Sequence, residues 1–365
     1  MKSVKCPMQV ISSFIRQRGA SYYGVMRIKD KKRGTFEKQQ KLFATNIDDA
    51  ELELKVLVRD TCPGNGISAI DYALKYHQGR AKRKSIEPST LRGYLDDVRA
   101  WTRYIGNVPI SKLTSSMVED ALDAMFDDGC AATTVNRRYS QLQAACKDAI
   151  RRRILKENPF STIDRPKGPS WSRNAVVGHE RERMRDDILS MQPCGLKVAA
   201  SLALFAGLRN CEVCGTQAID INMNERTGWV RRSVGHGVNG WYIKTPKSNN
   251  ARDYPISDYL MLVLEEWGMD GKWLIGRDDY AKPGWITEQW RYFARQQGYM
   301  GLEGKCPTFH DLRHTFATAA VAAGIDIRTL QSILGHADAS ITLKIYASAD
   351  PSAKRQAGKL IDSYF

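Results

Sequence analysis

Two short stretches of this chain can continue neither a helix nor a strand, and their positions limit every fold open to it. Cys62-Pro63-Gly64-Asn65-Gly66 and Arg165-Pro166-Lys167-Gly168-Pro169-Ser170 each combine proline with glycine, removing backbone donors and raising the entropy cost of regular structure. They divide 365 residues into three segments, in keeping with a length beyond what one hydrophobic core usually holds. The division predicts domains at 1–62, 66–160 and 175–365, with a basic tether near 160–174.

In the first segment Tyr22, Tyr23, Val25, Met26 and Ile28 read as a strand, residues 29–34 (Lys-Asp-Lys-Lys-Arg-Gly) as a turn, and residues 38–44 as the returning strand of a hairpin. Thr45 followed three residues on by Asp48 is a helix-start pattern, and Leu52, Val56 and Leu57 carry an apolar stripe to about Arg59. A hairpin of this size fits a DNA major groove, with its basic turn against phosphates. A solvated charged turn is the plainer reading of the same residues.

The second segment predicts helices over 68–77, 89–105, 115–126 and 132–155, with Leu91, Tyr94, Leu95, Val98, Trp101 and Ile105 spaced as one buried face. The last of them carries Arg137, Arg138, Lys147, Arg151, Arg152 and Arg153, a series able to follow a nucleic-acid backbone or to form an ordinary solvated face. In the third segment 179–191 and 196–206 read as helices, and 229–234, 240–247 and 252–256 as a small antiparallel sheet. Helices resume from Ser257. The fold class expected is multidomain and mainly α with small β-sheets.

Lys plus Arg total 55 against 40 Asp plus Glu, a formal charge of +15, so polyanions and above all nucleic acid are the expected partners. No run of eighteen apolar residues exists, and the first ten residues lack the apolar stretch of a signal peptide. The expectation is a soluble cytoplasmic protein, nucleoid-associated when bound to DNA, with no membrane partner. Eight cysteines scattered along the chain suit reduced thiols. The single pair Cys211 and Cys214 lacks the second pair that a zinc site needs, so both are read as packing residues.

The polar groups that carry chemistry lie in the third segment. Arg209 follows Phe205-Ala206-Gly207-Leu208, where Gly207 ends one helix, so its guanidinium emerges at a turn with Glu212 one turn further on. A planar fork that stays charged binds two phosphate oxygens at once. His310 and Arg313 stand three apart, on neighbouring positions of a helix over 308–323. Leu334-Gly335-His336 closes a helix over 327–334, with glycine at the cap. Ten residues later Tyr346 sits on a further expected helix, and Ala357, Leu360, Ile361 and Phe365 are spaced for a C-terminal helix able to dock on a neighbouring subunit or on its own domain.

Taken together, Ala206-Gly207-Leu208-Arg209, His310-x-x-Arg313, Leu334-Gly335-His336 and Tyr346 resemble the signature of the tyrosine recombinases, and in particular the integrases of phages and integrative or conjugative elements. The resemblance spans essentially the whole chain. It implies an arm-type DNA-binding module, a helical core-binding domain and an α+β catalytic domain. It implies further a lysine on a hairpin between the two arginines, for which Lys247 fits the spacing to Pro255 and Lys244 stands in reserve, with Asn249-Asn250 as the turn. Catalysis would fall to Arg209, Lys247, His310, Arg313, His336 and Tyr346, with no cofactor and no metal. Partners implied are double-stranded DNA and a homotetramer on it, with an excisionase or a host DNA-bending protein as accessory factors.

Two positions depart from the pattern. Gln217-Ala218 stands where a tryptophan is common, and Ser348 where a histidine often follows the nucleophile. A type IB topoisomerase shares the same reacting groups, and a DNA-binding regulator that kept the fold without the chemistry is the reading from another class.

Overall fold

The computed structural model describes residues 8–30, 34–61, 67–168, 174–246 and 251–335, in two compact units, 1–170 and 171–365. Lys247, His336, Tyr346 and the C-terminal stretch 353–365 lie outside the described residues.

The first unit opens with an antiparallel sheet of three strands rather than the expected hairpin: β1 (Met8–Arg18), β2 (Ser21–Asp30) and β3 (Gly34–Lys41), in that order. β1 escapes a period-two reading because its apolar residues Val10-Ile11 and Phe14-Ile15 come in adjacent pairs. A register shift between Val10 and Ser12 reconciles them with the pleat. Met26 and Ile28 on β2 pack beneath α1 (Ile47–Thr61) against Leu54, Leu57 and Val58.

Five helices follow: α2 (Ala69–Lys82), α3 (Pro88–Ala100), α4 (Thr102–Ile105), α5 (Ser115–Asp127) and α6 (Ala132–Arg151). Ser68 and Thr114 cap α2 and α5 by accepting the backbone N–H three residues on. The single helix expected over 89–105 is broken at Trp101, whose backbone N–H donates to Val98 three residues back while its buried indole donates to the Arg138 carbonyl at 3.1 Å. Leu52 and Val56 of α1 turn away from the sheet and pack on the helical core. The sheet module and the helices therefore belong to one unit.

The second unit is built around α8 (Gly195–Ala206), an almost wholly buried helix. Around it lie α7 (Gly178–Ser190), α9 (Asn210–Cys214), β4 (Ile221–Asn222), β5 (Thr227–Val230), β6 (Ser233–Gly237), β7 (Gly240–Lys244), β8 (Arg252–Pro255), α10 (Asp258–Trp267), α11 (Pro283–Gln297), α12 (Phe309–Ala322) and α13 (Ile327–Leu334). The strands make two sheets, β4-β5-β8 and the hairpin β6-β7, where the sequence predicts one. Arg231 and Arg232, at the junction between β5 and β6, both reach the buried Asp220, and this pull accompanies the break. The turn expected at Asn249-Asn250 lies outside the described residues; among the described strands β7 pairs with β6 and β8 with β5.

Candidate active site

Gly207 ends α8 in the left-handed conformation at φ 68°, and a Cβ there would meet Phe316 and Leu334 at 2.6–2.9 Å. Only glycine fits, and the turn it makes delivers Arg209 to the start of α9. Arg209 and Glu212 then hold each other: the Arg209 backbone N–H donates to the Glu212 carboxylate at 2.9 Å and Nη1 donates to its Oε1 at 2.8 Å. Arg209 keeps a quarter of its side chain exposed, whereas Glu212 is buried.

Two further guanidiniums reach the same carboxylate. Arg252 donates to it from Nη1 at 3.0 Å and from Nη2 at 2.7 Å, and Arg313 lies 3.8 Å away. Burial alone would raise the Glu212 pKa. The Arg252 hydrogen bonds and the charges of Arg252, Arg209 and Arg313 outweigh it and hold the carboxyl down to about 2.

The same three arginines also hold the end of α13. Its last carbonyls have no partner within the helix, and each accepts from a different guanidinium. Arg252 Nε donates to Ile333 at 2.8 Å, Arg313 Nη2 to Leu334 at 2.7 Å and Arg209 Nη2 to Gly335 at 3.3 Å. The negative end of the helix dipole favours cations at this place. Gly335 caps α13 at φ 62°, as the sequence predicts, and His336 follows it directly. Arg313 completes the frame with Nη1 donating to the Gly207 carbonyl at 2.7 Å.

His310 sits in the first turn of α12, whose start is fixed by Thr308 and Asp311 through bonds of 2.7 and 2.8 Å. Its ring stacks edge-on against His314, with centroids 4.6 Å apart. Crowding by protein atoms, and then the Arg313 charge, hold its pKa below the ordinary imidazole value. Arg209, His310 and Arg313 are thus brought together as the sequence predicts.

Lys244 ends β7 half-buried, with its charge acting on Cys211 of α9. Cys214 packs as expected, while Cys211 is exposed. Arg252 was not singled out from the sequence. Its only local signal is a basic residue on a strand just before Pro255.

Among the described residues no group of three or more His, Cys, Asp or Glu could hold a metal ion, and no described helix is long and apolar enough to cross a membrane. The site is a set of cationic forks carrying two positive charges beyond the one carboxylate they surround.

Residues 179–353 match the Phage integrase family, and residues 75–153 match the phage integrase N-terminal SAM-like domain. The chain belongs to the tyrosine recombinase family. Tyrosine recombinase XerC of Myxococcus xanthus is 26% identical over 302 residues, covering 76% of this chain and 97% of that relative. Among solved structures, the Tn1549 transposon integrase in complex with a circular intermediate DNA superposes with a TM-score of 0.65 at 21% identity, covering 80% of this chain and 99% of that one. The lambda integrase tetramer bound to a Holliday junction gives 0.57 at 19% identity, over 96% and 97%. These likenesses extend over both units of the recombinase and agree with its mainly α fold and small sheets.

Proposed function

We propose that this recombinase cleaves and rejoins DNA at specific sites through a 3′-phosphotyrosyl link to Tyr346, in the integration and excision of a mobile element. The observation that carries the reading is the convergence of Arg209 and Arg313 on Glu212 and on the end of α13, one residue before His336. A phosphodiester has one negative charge and gains a second as a nucleophile adds to phosphorus, so a site with two surplus positive charges suits the transition state better than the ground state.

In this mechanism the Tyr346 phenol attacks phosphorus and loses its proton with help from His310, which its depressed pKa keeps neutral and able to accept. Arg209 and Arg313 stabilise the non-bridging oxygens, and His336 donates a hydrogen bond to one of them. Lys247 gives a proton to the departing 5′ oxygen. The Tyr346 O–P bond forms as the 5′ O–P bond breaks, leaving a free 5′-hydroxyl. One ester replaces another, so a 5′-hydroxyl from a partner duplex reverses the step without an external energy source.

The first unit supports DNA binding. By strand alternation the face of its sheet away from α1 carries Arg16, Arg18, Arg27, Lys29 and Lys41, against a single Glu37. This basic face matches a groove lined by phosphates, and residues 1–62 are the arm-type module in this reading, with 66–160 binding the core site. On α6 and its C-cap, by contrast, Arg137 is bound to Asp97, and Arg151 and Arg152 to Asp148. Exchange between two duplexes needs four such sites, hence a tetramer on DNA, with an excisionase or a DNA-bending protein setting direction. A nicked suicide duplex carrying the target site tests the reading. The wild-type chain should become covalently trapped, and Tyr346→Phe should bind equally well without trapping; trapping by that variant excludes Tyr346 as the nucleophile.

A further inference from the structure

Arg252 touches none of the reacting atoms in this mechanism, yet it is only 7% exposed and all three of its guanidinium nitrogens donate hydrogen bonds. Two of the bonds go to Glu212 on α9 and one to the Ile333 carbonyl on α13. A Cβ added to Gly335 would lie 2.9–3.1 Å from the Arg252 side chain, so the guanidinium also packs on the backbone that leads into His336. Five residues before it in the chain stands Lys247. One side chain thus links β8, the Arg209 turn and the end of α13.

Burying a charge of this kind is costly before its partners are counted. An apolar side chain could pack β8 against α9 without that cost. It could not fix the rotation of a carboxylate, because that needs two donors held in one plane. Glu212 Oε1 accepts from both Arg209 at 2.8 Å and Arg252 at 3.0 Å, so the orientation that Arg252 imposes is passed directly to Arg209.

We propose that Arg252 is a positioning residue for DNA cleavage: by locking Glu212 and gripping the end of α13, it holds Arg209 in its reactive arrangement. The proposal rests on the phosphotyrosyl reading above. Arg252 is also foremost among the groups that keep Glu212 ionised. Without it the carboxyl would take up a proton at a higher pH and release Arg209.

The test compares wild type, Tyr346→Phe, Arg252→Met and Arg252→Lys in single-turnover trapping on the suicide duplex, with DNA affinity, thermal melting and the pH–rate profile measured for each. If wild type forms no adduct, the phosphotyrosyl reading fails and takes this inference with it; if wild type traps DNA and Tyr346→Phe does not, that reading stands and Arg252 is judged separately. Arg252→Met is then expected to cleave about 100-fold more slowly, with affinity changed less than about threefold. Its acid limb should move up by about one to three pH units. Arg252→Lys should recover about tenfold of the lost rate, since it keeps the charge without the fork.

Wild-type rates in Arg252→Met overturn the proposal. So does a loss of rate that merely follows losses of affinity and melting temperature with the pH profile unmoved. Should Arg252→Met fail to fold, Arg252→Lys decides: a slower rate with a raised acid limb supports positioning, and a wild-type rate and profile refute it.

Discussion

Arg313 Nη1 donates to the Gly207 carbonyl oxygen at 2.7 Å, tying α12 to the turn from which Arg209 emerges. Its other terminal nitrogen takes the Leu334 carbonyl, so one planar fork spans two chain segments. A lysine keeps the charge and cannot reach both. Arg313→Lys is expected to cost about 1–3 kcal/mol of stability and to slow cleavage about 100-fold, read by urea unfolding and adduct trapping. A lysine variant that cleaves at the wild-type rate removes the fork from the mechanism.

Gly207 has two reasons to be glycine, its positive φ and the Phe316 and Leu334 side chains where a Cβ would lie. Gly19, also at positive φ, has nothing within 4 Å of a Cβ. Gly19→Ala should therefore cost about 1–2 kcal/mol from the backbone alone, and Gly207→Ala about 2–5 kcal/mol once overpacking is added. Equal melting shifts for the two variants would contradict the packing half of this account.

Glu212 has its pKa pulled from 4.5 to about 2 in the folded protein. A depressed carboxyl pKa contributes stability that is fully present above the unfolded value and is lost as pH falls through the folded one. Glu212→Gln leaves three guanidiniums without their counter-charge, so at neutral pH it is expected to cost about 3–5 kcal/mol. The gap to wild type should narrow as pH drops from about 4.5 towards 2. A gap that stays constant over that window in urea titrations shows that Glu212 is not the ionised hub.

His77 lies fully buried in the first unit, with Nε2 3.2 Å from the Gln141 carbonyl and Nδ1 without a partner among the described residues. Burial drives its pKa from 6.5 down to about 4. The unfolded chain binds the proton more readily, so stability is complete above pH 6.5 and declines as pH falls towards 4, by about 3 kcal/mol in all. In His77→Gln that part of the decline should vanish, and an unchanged slope in the variant rejects the assignment.

The parts of the site legible in the sequence are those whose logic is local. Gly207 and Gly335 mark helix ends, Arg209 and Glu212 lie one turn apart, and His310 and Arg313 share a helix face. Arg252 was not legible, because its partners Glu212 and Ile333 are 40 and 81 residues away and nothing nearby distinguishes it from any basic strand residue. The same limit applies to the fold. Helix α6 follows from its periodicity, whereas the split into two sheets at Arg231 and Arg232 depends on Asp220, a residue with no periodic signal. Strand β1 stayed hidden because one register shift undoes the alternation by which strands are recognised.

In the proposed mechanism Arg209 and Arg313 neutralise the charge that develops on one phosphate. Replacing the scissile phosphodiester of the suicide duplex by a neutral methylphosphonate removes most of that charge while leaving Tyr346 its target. Trapping rates are then measured for wild type, Arg209→Ala and Arg313→Ala on both substrates. The alanine variants should be slowed at least about 100-fold on the phosphodiester and should regain most of that loss on the methylphosphonate. An equal loss on both substrates would mean that the arginines hold the fold or the duplex and do not stabilise the reacting phosphate.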